Sequence, residues 1–284
     1  MLNPTYFTEK ILFHTVLLEL NSGAGTGFIY GFTVDDDLHV PVIVTNKHVI
    51  NYESNPTVRF AMHQKDAKGN LLDSIVHITH GSEWVMHPNS ETDLCCTLLQ
   101  PIVESAQGQG YSLYYKICPD YAVYTEDELN DMQTVNDVIM VGYPDRIIDK
   151  KHFLPIVRKG STATHPAIDF NGKSIGMIDM SCYYGSSGSP LFIYPGITKY
   201  SKKEGVKIGY NEPKLLGIFF ALLCANDEGE IFTKVPKSSL HKSSTNSETA
   251  SSDEYLNLGY YIKAKELNVL RDEVFKKYES RIKR

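Results

Sequence analysis

A chain of 284 residues, 42% hydrophobic and 11% aromatic, can bury a large core. Its 28 lysines and arginines against 34 aspartates and glutamates give a scattered net charge of −6, so no basic stripe suggests nucleic acid. No apolar run approaches the roughly 18 residues of a membrane helix, which excludes a helical membrane span.

Residues 1–13 hold no basic region followed by an apolar stretch and a small-residue cleavage site, so no signal peptide is expected and the expected location is cytoplasmic. Short β-rich runs separated by turn residues follow. Residues 16–20, 26–34, 41–45, 57–63, 75–80 and 94–99 predict six strands of a first barrel. Residues 104–131, with Gly108, Gly110, Pro119 and an acidic run at Glu126, predict a connection. Residues 138–142, 153–159, 174–179, 190–194, 215–223 and 258–262 predict a second six. Leu267, Leu270, Val274 and Tyr278 then recur at helical steps among charges, an amphipathic helix over 263–281 packed on the second barrel. The expected fold is all-β, two six-stranded antiparallel barrels with a C-terminal α-helix. Its expected parts are residues 1–110, a linker at 111–131, and 132–284.

Two inserts interrupt this pattern. Residues 195–213 look like a long hairpin tip. Residues 236–254 hold seven serines and no aromatic residue, too polar a composition to fix a fold, so mobility is expected there.

Three residues carry chemistry, in the order His48, Asp93, Ser187. His48 lies in Thr45-Asn46-Lys47-His48-Val49 after an apolar strand, and Asp93 leads into another. Ser187 lies in Gly185-Ser186-Ser187-Gly188-Ser189-Pro190, where small residues permit a tight turn that presents a hydroxyl beside two N–H groups. A serine hydroxyl is a weak nucleophile until a base takes its proton, and an imidazole serves as that base only when a carboxylate holds its other nitrogen. His48 and Asp93 fit these roles, with the N–H groups of Gly185 and Ser187 as the expected oxyanion hole. Taken singly, each residue reads as a packed, turn or loop residue; together, in this order, they do not. Nucleophile-first hydrolases are excluded by the order and by Ser189, which breaks their G-x-S-x-G elbow. The run Gly23-Ala24-Gly25-Thr26-Gly27 lacks both dinucleotide and P-loop spacing, and no His/Cys/Asp group has metal spacing, so neither cofactor nor metal is expected. The five cysteines form no C-x-x-C pair and cannot all pair internally, and they read as reduced.

At these residues the chain resembles the trypsin/chymotrypsin clan, and within it the HtrA-like proteases and small bacterial trypsin-like peptidases. The likeness includes Thr26-Gly27-Phe28-Ile29 ahead of the histidine, Thr92-Asp93-Leu94, Val141-Gly142-Tyr143-Pro144, Leu216-Gly217-Ile218, and Gly259-Tyr260-Tyr261-Ile262 before the final helix. It covers nearly the whole chain from about residue 11. The HtrA-like proteases usually carry a peptide-reading PDZ domain, which is not expected here. Val49, where secreted trypsins place a cysteine, favours the intracellular branch, and Ser186 replaces the aspartate that their zymogens use for activation.

The resemblance also implies a substrate pocket lined by Ser181, Cys182, Tyr183, Phe220, Ala221 and Leu222. Ser181 would stand at an uncharged floor, and Leu222 would crowd bulky side chains. A small or medium aliphatic residue is then expected before the cleaved bond. Arg or Lys, reached through Asp179, is the alternative, and glutamate the third, since Phe219 replaces the histidine of glutamyl endopeptidases. The expected function is a serine endopeptidase cleaving protein or peptide substrates, with a regulatory partner protein, in bacterial stress or anti-phage defence by analogy alone. The alternatives are a catalytically silent peptide-binding module and a chaperone-like holdase.

Overall fold

The computed structural model describes residues 3–34, 39–144, 147–209, 212–226, 230–234 and 254–282. The serine-rich segment, apart from Glu254, lies outside the described residues.

A short helix α1 (Phe7–Lys10) and a 3-10 turn precede the first sheet. Its strands are β1 (Thr15–Leu20), β2 (Gly23–Thr33), β3 (His39–Thr45), β4 (Thr57–Lys65), β5 (Leu71–Gly81), β6 (Trp84–Met86) and β7 (Cys95–Leu98), in the order β5-β4-β1-β2-β3-β7-β6. The six expected strands are all present, but the unexpected β6 occupies one edge. Strands β5 and β6 stand at opposite edges and are joined through Ser82 and Glu83 alone, so this sheet closes through the chain rather than through a ladder. Helix α2 (Gln100–Gly108) follows. The two-residue strands β8 (Leu113–Tyr114) and β9 (Cys118–Pro119) then pair with β4 and β2, so the expected connection is partly absorbed into the first sheet. Helix α3 (Glu126–Asn130) begins with Thr125 accepting from the Glu128 N–H while Glu128 accepts from the Thr125 N–H.

The second sheet holds β10 (Asp137–Gly142), β11 (Ile156–Thr162), β12 (Ile175–Asp179), β13 (Pro190–Ile193), β16 (Lys214–Ala225), β17 (Ile231–Lys234) and β18 (Glu254–Lys263). Because β13 pairs with both β10 and β16, six of these close into a barrel, with β17 outside on β16. The closed six are those expected from the sequence. Strand β11 starts three residues later than expected, and Phe153, at the expected start, has φ 56°, outside the extended region. Between β13 and β16 the hairpin of β14 (Thr198–Ser201) and β15 (Gly205–Ile208) forms the expected insert tip.

Strand periodicity explains the packing. On β2 and β3, Ile29 and Ile43 point into the first barrel, whereas Phe28, Tyr30, Phe32, Val42 and Val44 face a central core. On β10 and β13, Val138, Met140, Leu191 and Ile193 fill the second barrel, and Ile139, Val141 and Phe192 face that same central core. Alternate residues thus serve two interiors, so these strands read as continuous apolar runs. Helix α4 (Glu266–Ile282) lays Leu267, Leu270, Val274 and Tyr278 on the central core. It also reaches the first sheet: Tyr278 Oη donates to Glu83 at 2.8 Å, Lys277 pairs with Glu83 at 2.8 Å, and Glu266 meets His87 Nε2 at 3.0 Å. All five cysteines are buried and none is in a disulfide, and burial pushes the thiols of Cys118 and Cys182 up to about 12, which keeps them protonated and unreactive. Among the described residues no helix is long and apolar enough to cross a membrane.

Two buried histidines give the fold a pH dependence. Burial lowers His14 from 6.5 to about 3, helped by Lys10 and Lys116, and lowers His63 to about 4 against an opposing hydrogen bond to the Phe153 backbone. Both folded values lie below the unfolded one, so from neutral pH down to about 4 the unfolded chain binds protons that the folded chain refuses. Stability is therefore full above about pH 7 and falls as the pH drops, by about 1.4 kcal/mol per group per unit below the unfolded value. From pH 7 to 5 the expected loss is about 4 kcal/mol for the pair, read as a lower urea midpoint. An unchanged midpoint would show that the two rings are not buried neutral.

Candidate active site

His48 sits in a 3-10 turn (Lys47–Ile50) at the end of β3, released from the strand at Asn46 and terminated by Asn51 in the left-handed region. The turn and the loop carrying Asp93 are fitted together at several points. Asp93 Oδ1 accepts the His48 backbone N–H at 3.0 Å, and Oδ2 meets Nδ1 at 2.5 Å, so one carboxylate fixes both the main chain and the ring of the same residue. Asn46 Nδ2 donates to the Asp93 carbonyl at 2.8 Å. Lys47, buried between them, donates its ammonium to the carbonyls of His87 and Asn89 at 2.8 and 2.9 Å. Burial lowers its pKa, and the nearby Asp93 and Cys95 oppose that shift.

The Ser187 loop is held from the first sheet by Thr26. The Thr26 N–H donates to the Ser187 carbonyl at 2.9 Å, its hydroxyl donates to the Gly185 carbonyl at 3.0 Å and accepts the Tyr143 N–H, and its own carbonyl accepts the Thr45 hydroxyl at 2.7 Å. From the other side, the Gly188 N–H donates to the Phe219 carbonyl and the Phe219 N–H to the Ser189 carbonyl. Gly185 and Gly188 have φ of 81° and 84°, which only glycine adopts without strain. Ser187 is thereby brought against the end of β3, three residues from His48.

Among the described residues, the N–H groups of Gly185 and Ser187 donate to no protein acceptor. Two unspent donors suit a developing oxyanion. Ser187 Oγ and His48 Nε2 are both sealed from solvent, and no hydrogen bond joins them or engages either atom. The arrangement holds an oriented imidazole, a hydroxyl and free donors, with the last link unmade.

The residues expected to line the pocket follow β12 or lie on β16. Ser181 is exposed, its hydroxyl donating to Asn257 Oδ1 at 3.2 Å and its carbonyl accepting from Arg158 Nη1 at 2.5 Å. Tyr183 lies exposed beneath the Arg158 guanidinium, 4.4 Å from the ring centroid. Cys182 and Leu222 are buried in the second barrel's core with Phe219, and Ala221 is buried beside them. Phe220 is half-buried against Tyr260. The Phe219 ring takes the space a side chain on Gly259 would occupy, 2.6 Å from where its Cβ would lie, with the Cys182 thiol at 3.0 Å. Along β16, register shifts between Phe219 and Ala221 and between Leu222 and Cys224 break the two-residue count. Arg158, Lys47 and Thr26 were not singled out by the sequence as site residues. Thr26 and Lys47 lie inside quoted motifs, whereas nothing near Arg158 marks it.

Paired antiparallel barrels, one closed by its ladder and one through the chain, that bring a histidine, an aspartate and a glycine-flanked serine together form the architecture that the trypsin-like resemblance implies. No family model matches the chain, and no curated protein matches it. Among solved structures it is similar to the Rv3671c protease from M. tuberculosis H37Rv, a serine-to-alanine mutant in an inactive form, at 14% identity over 95% of this chain and 89% of that one, TM-score 0.46. A second structure of the Rv3671c protease, also an inactive form, matches at 14% identity over 93% and 90%, TM-score 0.42.

Proposed function

We propose that the protein is a serine endopeptidase working through an acyl-enzyme. In this reading Ser187 Oγ attacks the peptide carbonyl as His48 Nε2 takes its proton. Asp93 holds the Nδ1–H and stabilises the imidazolium. The N–H groups of Gly185 and Ser187 receive the oxyanion, and His48 then protonates the leaving amine. Water repeats the sequence on the ester. The observation that carries the proposal is the twofold grip of Asp93 on His48, which fixes one tautomer and one ring orientation beside a glycine-flanked serine.

The preference for a small or medium aliphatic residue before the cleaved bond rests on the sequence resemblance, in which Leu222 crowds bulky side chains. On the sequence resemblance, the proposal extends to cytoplasmic processing of a partner protein in bacterial stress or anti-phage defence, under a regulatory partner. The second reading, a silent peptide-binding module, is favoured by one observation: the sealed and unjoined Ser187 Oγ and His48 Nε2. A fluorophosphonate probe separates the two. Stoichiometric labelling at Ser187, lost on unfolding, is expected; folded protein that stays unlabelled is the module.

A further inference from the structure

A cavity of about 380 Å³ opens on the molecule outside the candidate active site, between the N-terminal segment, β2, the Cys118–Pro119 strand and the start of β16. Its volume lies in the range of small-molecule sites. Phe7, Ile117 and Tyr121 supply an apolar lining, and Lys10 and His39 stand at its exposed edge. His14 forms part of the wall. That ring is 4% exposed, and its Nδ1 is sealed with no partner, which leaves Nε2 as the nitrogen able to meet the cavity.

The polar groups favour an anion. His14 stays neutral at physiological pH, so its ring offers one donor without charge. Lys10 and Lys116 add positive potential at that ring, and among the described residues neither is held in an ion pair; Lys116 lies over the Tyr114 ring. Lys214, also on the wall, is neutralised by Glu128 at 2.6 Å, and Glu212 at the rim is exposed to water. The uncompensated charge beside His14 is therefore positive, while the opposite lining is apolar.

We propose that this cavity is a binding site for a carboxylate carried on an apolar body, with the carboxylate at His14 and Lys10 and the body against Phe7, Ile117 and Tyr121. A free organic acid and a peptide C-terminus share that chemistry. The occupant is recognised without any role for Ser187, so binding is measured apart from proteolysis.

The probe is 3-phenylpropionate, titrated into the full chain while the His14 ring resonances are followed by NMR and heat is followed by calorimetry. Saturable perturbation of His14 at submillimolar to millimolar concentration is expected. Lys10→Ala, on an exposed residue that leaves the fold intact, is expected to weaken binding by about tenfold, and the uncharged 3-phenylpropanamide to bind about tenfold more weakly than the acid. N-acetyl-Ala-Phe with a free carboxylate, compared with its C-terminal amide, distinguishes the sources. Binding of that acid tighter than 3-phenylpropionate assigns a chain end, and weaker binding assigns a small organic acid. The proposal is overturned if His14 is unperturbed up to about 10 mM in folded protein, or if acid and amide bind equally.

Discussion

Ser187→Ala is expected to lower kcat on a cleaved peptide by about 10⁴- to 10⁶-fold while leaving the urea midpoint within the range of an ordinary substitution. The expectation rests on how the loop is built. Ser186, Ser187 and Ser189 all carry buried hydroxyls without a partner, so burial alone does not distinguish them. Ser189 Oγ lies against Gly142, 2.0 Å from where a Cβ would stand, and is thus directed toward β10. Among the three, only Ser187 has a backbone N–H that donates to no acceptor of the described residues, since that of Ser186 donates to the Tyr183 carbonyl and that of Ser189 to the Ser186 carbonyl. Residues that act as one unit are not additive, so His48→Ala and the double variant should fall to the same floor as Ser187→Ala. Single-turnover assays with a quenched peptide check this. If Ser187→Ala keeps more than about a tenth of the rate, the nucleophile lies elsewhere.

Gly188→Ala is expected to cost about 3 to 5 kcal/mol and to abolish fluorophosphonate labelling. Two penalties combine. The left-handed φ of 84° disfavours any Cβ, and here that Cβ would lie 1.9 Å from the Thr26 carbonyl oxygen and 2.4 Å from Thr45 Oγ1. Neither neighbour can retreat cheaply, because Thr45 already donates to that carbonyl and Thr26 holds the loop at Gly185 and Ser187. Gly110 carries the first penalty alone: its φ is also 84°, but nothing lies within 4 Å of its Cβ direction. Gly110→Ala should therefore cost only about 1 to 2 kcal/mol, the backbone part. Equal losses for the two variants, by urea unfolding, would mean that the contact with Thr26 does not constrain the loop.

Much of the architecture was legible because the strands that build it are apolar on both faces. All twelve expected strands exist, and the recurrence of Leu267, Leu270, Val274 and Tyr278 located α4. Strand β6 was not legible, since three residues carry too little periodicity and its place beside β7 is set by the turn from β5. At the site, His48, Asp93 and Ser187 stood out because each lies in a short motif at a strand end. The side-chain directions along β16 could not be counted from the sequence, because its register shifts leave no composition signal. Lys47 reads as a surface lysine; only the folded loop supplies the two carbonyls that make its burial tolerable.

The contacts of α4 with the first sheet impose an order on synthesis. His48, Asp93 and their surrounding strands emerge from the ribosome early and can begin to fold there, since the N-terminal part of a chain folds first. Yet His87, which opens the Asp93 loop, waits for Glu266, and Glu83 waits for Lys277 and Tyr278. Ser187 has left the ribosome before any of these partners is made. The loop behind the His48 imidazole is therefore finished only once α4 has been made, after His48, Asp93 and Ser187 have all been synthesised.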